Sequence, residues 1–201
     1  MSDLKELQKE FLEVQSQSEM YLERLRGESK GRAVRKVISK GGVVNFRPFE
    51  LQRAGFEFGK VVKEIPKNIK NTHVYYYDGN DKIIHVEVYG QTERVINNDF
   101  YFYGAEYIKS IHFSSGGGLR NIRLSEFSGA EFVRDLNVGK FGMSISEYAY
   151  ESGVLKSILV SQKESMEAEF SLYTTVFNYA GGELSYIGNH FPNGYVEDRY
   201  P

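Results

Sequence analysis

The chain has 201 residues, enough to bury a substantial core in one main body, and its 41% hydrophobic and 26% charged residues are those of a folded globular protein and not of a disordered one. It contains no cysteine, which excludes disulfide scaffolds, thiolate metal sites and cysteine nucleophiles. The formal charge of −2 hides an asymmetry: through Tyr77 there are 15 Lys and Arg against 10 Asp and Glu, and from Asp78 onward 10 against 17, which suits a basic partner better than a phosphate backbone.

The N-terminus, "MSDLKELQKEFLEV", alternates charge with apolar residues and lacks the apolar core of a secretory signal. No run approaches the roughly 20 apolar residues of a membrane span, so a cytoplasmic protein without a membrane partner is expected. Leu4, Leu7, Phe11, Val14, Ser18, Tyr21 and Leu25 recur at alternating spacings of three and four, the period of an amphipathic helix. Asp3 followed by Glu6 resembles a capping box, and Gly27 is placed to stop the helix. The apolar seam is expected to dock on a sheet, and the alternative is a homodimer through this helix as a short coiled coil. "KGRAVRKVISKGG", with Lys30, Arg32, Arg35, Lys36 and Lys40, reads as a basic connector. The expected division is therefore 1–40, helix and connector, and 41–201, a repeat domain.

The repeat is visible in "YGAEYIKSI" at Tyr103 to Ile111 and "FSGAEFVRDL" at Phe127 to Leu136. Copies begin at Tyr75, Phe100, Ser125, Glu147 and Thr175, with a weaker one, "FEFGKVVKEI", at Phe56. Each has aromatics at alternate positions, a small or glycine-bearing turn, and an apolar strand carrying a charge, which is a β-hairpin. The turns fall at Asp78-Gly79-Asn80, Gly104-Ala105, Ser128-Gly129, Ser152-Gly153 and Gly181-Gly182. The expected fold is mainly β, an antiparallel meander of repeated hairpins with a period of about 22–29 residues and an N-terminal amphipathic helix. Ile84, Val86 and Val88 would share one face, His85 and Glu87 the other, with Ile111, Phe113, Leu136, Val138, Ile158 and Val160 continuing the apolar face.

Chemical motifs are sparse. The triple glycine beginning at Gly116 lacks a following Lys-Ser/Thr and leads into a strand pattern, so it reads as a hairpin loop and not a phosphate cradle. "GMSIS", beginning at Gly142, is not a nucleophile elbow. His85 and His112 occupy comparable places in successive hairpins. Were their strands adjacent, they and Glu87 are the residues that would hold a metal, although polar-face histidines are more often solvated. No catalytic residue, cofactor or resident metal is expected. Aromatic strands in the acidic part argue against nucleic acid.

"YAYESGVLKS", from Tyr148 to Ser157, resembles the repeat of the bacterial MORN-like antitoxin proteins, whose units read approximately Tyr-Tyr-Glu-Asn-Gly-Lys-Leu-Lys-Ser. "YDGNDKI", from Tyr77 to Ile83, is similar to the YD-repeats of Rhs-type proteins. The resemblance spans roughly residues 75 to 187, and the chain departs from it in having no Trp. It implies a non-enzymatic hairpin-repeat module that binds another protein, such as an immunity protein neutralising a basic toxin domain. The expected contacts are Tyr101, Tyr103, Glu106, Glu126, Glu131, Asp135, Tyr148, Tyr150 and Glu151. The alternatives are a carbohydrate-active hydrolase using two carboxylates and a self-assembling structural protein.

Overall fold

The computed structural model describes residues 2–165 and 167–201. Two helices, α1 (Ser2–Ser16) and α2 (Ser18–Arg32), precede β1 (Arg35–Lys40), a short helix α3 (Glu50–Arg53) and β2 (Lys60–Val62). Then come β3 (Thr72–Tyr77), β4 (Ile83–Tyr89), β5 (Ile96–Tyr103), β6 (Tyr107–Phe113), β7 (Leu119–Ser128) and β8 (Glu131–Gly139). The chain ends with β9 (Gly142–Glu151), β10 (Val154–Lys163), β11 (Ser171–Ala180), β12 (Glu183–His190) and β13 (Val196–Tyr200). All belong to one antiparallel sheet in the order β13 through β3, then β1 and β2. The expected meander is therefore the fold.

The turns fall where the small residues are. Gly181 and Gly182 both have positive φ (+59° and +87°), as does the pair Ser152 and Gly153 (+51° and +75°), the conformation that matches the twist of a two-residue hairpin. The weaker sixth copy contributes only β2 at one edge. Its Phe56 and Phe58 are exposed. The basic stretch is not a connector: Lys30 and Arg32 lie in α2, and Arg35, Lys36 and Lys40 in β1.

Helix α1 starts at Ser2, so Asp3 sits inside the first turn, and Gly27 is interior to α2. The helical stretch breaks at Gln17 (φ −134°, ψ 35°). This shifts the buried seam from Leu7, Phe11 and Val14 to Leu22, Leu25 and Ser29, so Ser18 drops out of it. The seam packs on Phe100, Ile111, Phe113, Ile122, Leu136 and Val138. The stripe available to a second helix in the sequence is thus buried against the sheet. At about 25 cal/mol per Å², each fully buried large apolar side chain contributes about 1.5–3 kcal/mol.

The second face of the sheet is also covered, which the alternation alone does not reveal. The loop from Gly42 to Gly59 closes on itself through Gly59 N–H to Gly42 C=O (2.7 Å). A Cβ on Gly59 would meet Lys40 O at 2.2 Å, so only glycine fits this neck. Val43, Val44 and Phe46 pack on Tyr75, Ile83 and Tyr101, while Phe49 packs on the cluster of Ile158, Phe177 and Ile187. Six residues of chain, at most about 22 Å long, thus reach from β3 to β11. Eight strand spacings would separate these strands by about 38 Å in a flat sheet. The sheet must therefore curl around the loop, with the helices on its outer face.

Covering on both faces explains why Ile83 through Glu87 are all buried. It also corrects the expected single apolar face. Ile111, Phe113, Leu136 and Val138 face the helices, whereas Ile158 and Val160 face the loop side, because they pair with Tyr148 and Ser146.

Candidate functional site

The recurring phrase "GAEYIKS/GAEFVRD" does two jobs on opposite faces. Its cation points outward to α1: Lys109 Nζ donates to Glu10 Oε1 (2.7 Å) and Arg134 Nη2 donates to Asp3 Oδ2 (2.6 Å). Asp3 and Glu10 are two helical turns, about 10.5 Å, apart. Strands β6 and β8 are two spacings, about 9.6 Å, apart. The helix pitch and the hairpin repeat therefore match. The next residue, Ser110 or Asp135, points to the inner face, where it meets Arg47.

Arg47 is 3% exposed and descends from the loop onto the middle of the sheet. Its Nε donates to Ser125 Oγ (2.8 Å) and Asp135 Oδ1 (3.1 Å). Its Nη1 donates to Glu50 Oε1 (2.8 Å), and its Nη2 to Ser110 Oγ (3.1 Å). Ser125 Oγ–H also donates to Asp135. Arg123 stands 3.4 Å from both Glu50 and Asp135. Burial pushes the Asp135 carboxyl up, but Arg123 and Arg47 beside it pull further the other way and hold it below its usual range. Glu50 is likewise raised by burial and lowered more by Arg47, Arg123 and Arg53. The two carboxylates that meet on the inner face are thus held ionised, which is the opposite of what a general acid needs. Beside them, Arg53 Nε and Tyr148 OH are buried without a hydrogen-bond partner among the described residues.

The expected contact residues do not form one surface. Tyr101 is buried with its ring stacked on Phe46 (3.8 Å, 9°). Tyr103 OH donates to Ile83 C=O (2.8 Å), and burial pushes its hydroxyl up to about 12. Tyr148 and Tyr150 pack on the Leu155–Ile187 cluster, and Asp135 is an interior ion. Glu126 is on the outer face, held by Arg134 Nε (2.7 Å). These six serve the fold, because curling the sheet around the loop buries the aromatic ladder.

Glu106, Glu131 and Glu151 remain, at three turns on one end of the sheet, and Glu183 falls at the equivalent place in the β11–β12 turn. No family model, curated protein or solved structure matches the chain. Successive turns lie two strands, about 10 Å, apart. Among the described residues none of the four acids has an ion-pair partner, whereas Asp78 and Asp81 of the β3–β4 turn are paired with Arg32 and Arg35. Each of three turns also carries an exposed apolar or aromatic neighbour: Tyr107 (43%), Val133 (43%) and Val154 (39%).

The histidine pair is separated by the sheet. His85 pairs with Phe100 and His112 with Asp99; residues 99 and 100 point to opposite faces, so the imidazoles do not converge. Among the described residues there is no group of three or more His, Asp or Glu that could hold a metal. His112 Nδ1 contacts Asp99 (2.8 Å). His85 is fully buried under α2, with Nε2 toward Asn98 Oδ1 (3.1 Å) and Nδ1 toward Ser29 Oγ (3.2 Å). Arg26 also donates to Asn98 Oδ1; an amide oxygen only accepts, so His85 donates to it from Nε2–H.

Burial lowers the His85 pKa, and Lys30 and Arg26 add to this against the opposing pull of Asn98 and Glu87. The unfolded chain then takes up this proton first. Stability is complete above about 6.5 and is lost as the pH falls from there through the folded pKa. Urea unfolding between pH 7.5 and 5 should show this decline. His85→Gln should flatten it, leaving the share of His73, which burial also lowers. An unchanged slope in His85→Gln would show that His85 does not titrate in this window.

Proposed function

We propose that the chain is a non-enzymatic protein-binding module that receives a basic partner along its hairpin-turn edge. The observation that carries this reading is the row of acids at Glu106, Glu131, Glu151 and Glu183, without ion-pair partners among the described residues and interleaved with exposed Tyr107, Val133 and Val154. Apolar groups alternating with charge supply anchoring area beside long-range steering, a combination that a protein surface uses and a simple cation does not. A toxin domain with a basic cleft is a partner of this chemistry, and the likeness to antitoxin repeats supports an immunity role. The arginine-bound state of Glu50 and Asp135 favours this reading over a hydrolase.

The test is charge reversal at the turns. Glu106→Lys, Glu131→Lys and Glu151→Lys together remove no packing, and the variant should keep the wild-type circular dichroism and melting curve. Affinity capture from the native cell should yield a basic protein eluted by salt from the wild type. Its association with the triple variant should slow by about tenfold or more and lose its salt dependence. Equal recovery and equal association rates with both would remove the turn edge from the interface.

A further inference from the structure

At the opposite end of the sheet one concavity is lined by the opposite charge. A cavity of about 1020 Å³ opens there among the ends of β7 to β10 and the loops around Ser114 and Lys140. Four of the ten Lys and Arg that follow Tyr77 line it, Arg120, Arg123, Lys140 and Lys163, with only Glu164 of the seventeen acids. In the acidic part of the chain this is a local reversal of sign, and a cleft of one sign concentrates ligands of the other. Arg120 and Lys140 are exposed and have no ion-pair partner among the described residues.

The cavity wall is also rich in donors. The cross-strand row Arg123, Asn137, Ser144 and Gln162 runs along it in register from β7 to β10. Asn121 Nδ2 donates to Asn137 Oδ1 (2.7 Å), which leaves Asn137's own amide N–H groups for a ligand. At the rim, Phe141 in the β8–β9 turn is 75% exposed, with Lys140 Nζ 5.4 Å from its ring centre. A large ring held in water beside a cation is a stacking platform.

We infer that this cavity binds a nucleoside polyphosphate, with Arg120 and Lys140 holding the phosphates, the Asn137–Gln162 row meeting the ribose, and Phe141 stacking on the base; Arg123, already held by Glu50 and Asp135, is part of the wall. The volume suits a small organic ligand. An inorganic anion would leave Phe141 and the amide row unused, and a neutral sugar would leave Arg120 and Lys140 unused. A long nucleic acid strand would also meet Glu164, Glu167 and Glu169 of the β10–β11 loop beside the cavity, so the positive lining favours a ligand that fits inside it.

Calorimetric titration of the full chain with ATP, inorganic triphosphate and adenosine tests this. ATP should bind saturably, triphosphate more weakly and adenosine least. Arg120→Glu with Lys140→Glu should weaken ATP by about tenfold or more and reduce its salt dependence. Phe141→Ala should abolish the advantage of ATP over triphosphate. All three positions are at the surface, and circular dichroism checks the fold of each variant. Absence of saturable ATP binding at millimolar concentration overturns the inference, as does ATP affinity unchanged in the double variant. Triphosphate binding as tightly as ATP overturns the stacking assignment, and tighter binding of an oligothymidylate overturns the small-molecule assignment.

Discussion

Replacing Arg47 by Met is expected to destabilise the protein by about 3–5 kcal/mol, the usual consequence of removing one partner from a buried ion pair. Met retains much of the stem's packing, so the loss is electrostatic: Asp135, 5% exposed, keeps the Ser125 hydroxyl and the angled approach of Arg123 but loses the guanidinium, which Ser110 and Ser125 also lose as a donor. The pH dependence identifies the cause. In the wild type Asp135 and Glu50 are held below their usual range. Their contribution is present above the unfolded value of about 4 and is lost as the pH falls through the folded pKa values. In Arg47→Met this contribution is missing from the start, so the difference between the two proteins should shrink in acid. A second variant, Arg47→Met with Asp135→Asn, removes the stranded charge and should recover part of the loss. Denaturant unfolding of the wild type, both single variants and the double gives the coupling energy. A cost below about 1 kcal/mol, or none recovered in the double, would mean that the network is neutral and the loop is held by its apolar side chains alone.

Arg47 also marks where the sequence stops being legible. The hairpins could be read because each turn carries its own signal within a few residues, and the helix because its seam repeats along one stretch. Arg47's partners are Ser110, Ser125 and Asp135, separated from it by 63, 78 and 88 residues, and no local pattern announces them. A signal did exist: "GGVVNFRPFELQRAGFEFG" is bounded by glycines and rich in apolar residues, yet has neither the period of a strand nor that of a helix. Such a segment must cover something. Its effect on the sheet explains the other misreadings. Burial of the second face turns Tyr101, Tyr148 and Asp135 from candidate contacts into interior groups, and it moves Ile158 and Val160 to the face away from the helices. The turn acids Glu106, Glu131 and Glu151 stayed where the sequence placed them, because a hairpin turn is exposed whichever face of its strands is covered.

Excising the loop should have a larger effect than any point change. Gly42 and Gly59 are already joined by a hydrogen bond of 2.7 Å, so a short glycine linker in place of residues 43–58 closes the chain without moving β1 or β2. What is lost is the cover of the inner face: Phe46 leaves Tyr101, Phe49 leaves Phe177 and Tyr179, and Asp135 loses Arg47. Two half-buried aromatic side chains at up to about 3 kcal/mol each for truncation, added to the ion-pair term, approach the whole stability of an ordinary domain, about 5–15 kcal/mol. The outer layer should behave differently. Phe11, Leu22, Phe100 and Ile122 pack without the loop, and the Lys109–Glu10 and Arg134–Asp3 pairs pin α1 to β6 and β8. The excised protein should therefore keep helical and strand circular dichroism while binding a hydrophobic dye and exchanging the amides of β9–β13 much faster than those of β5–β8. Uniform protection across the sheet would show that the curl is intrinsic to the hairpins and that the loop merely fills it. Unequal protection would make the loop the element that draws the two halves of the sheet together, and with them the turn acids and the cationic cavity at its opposite ends.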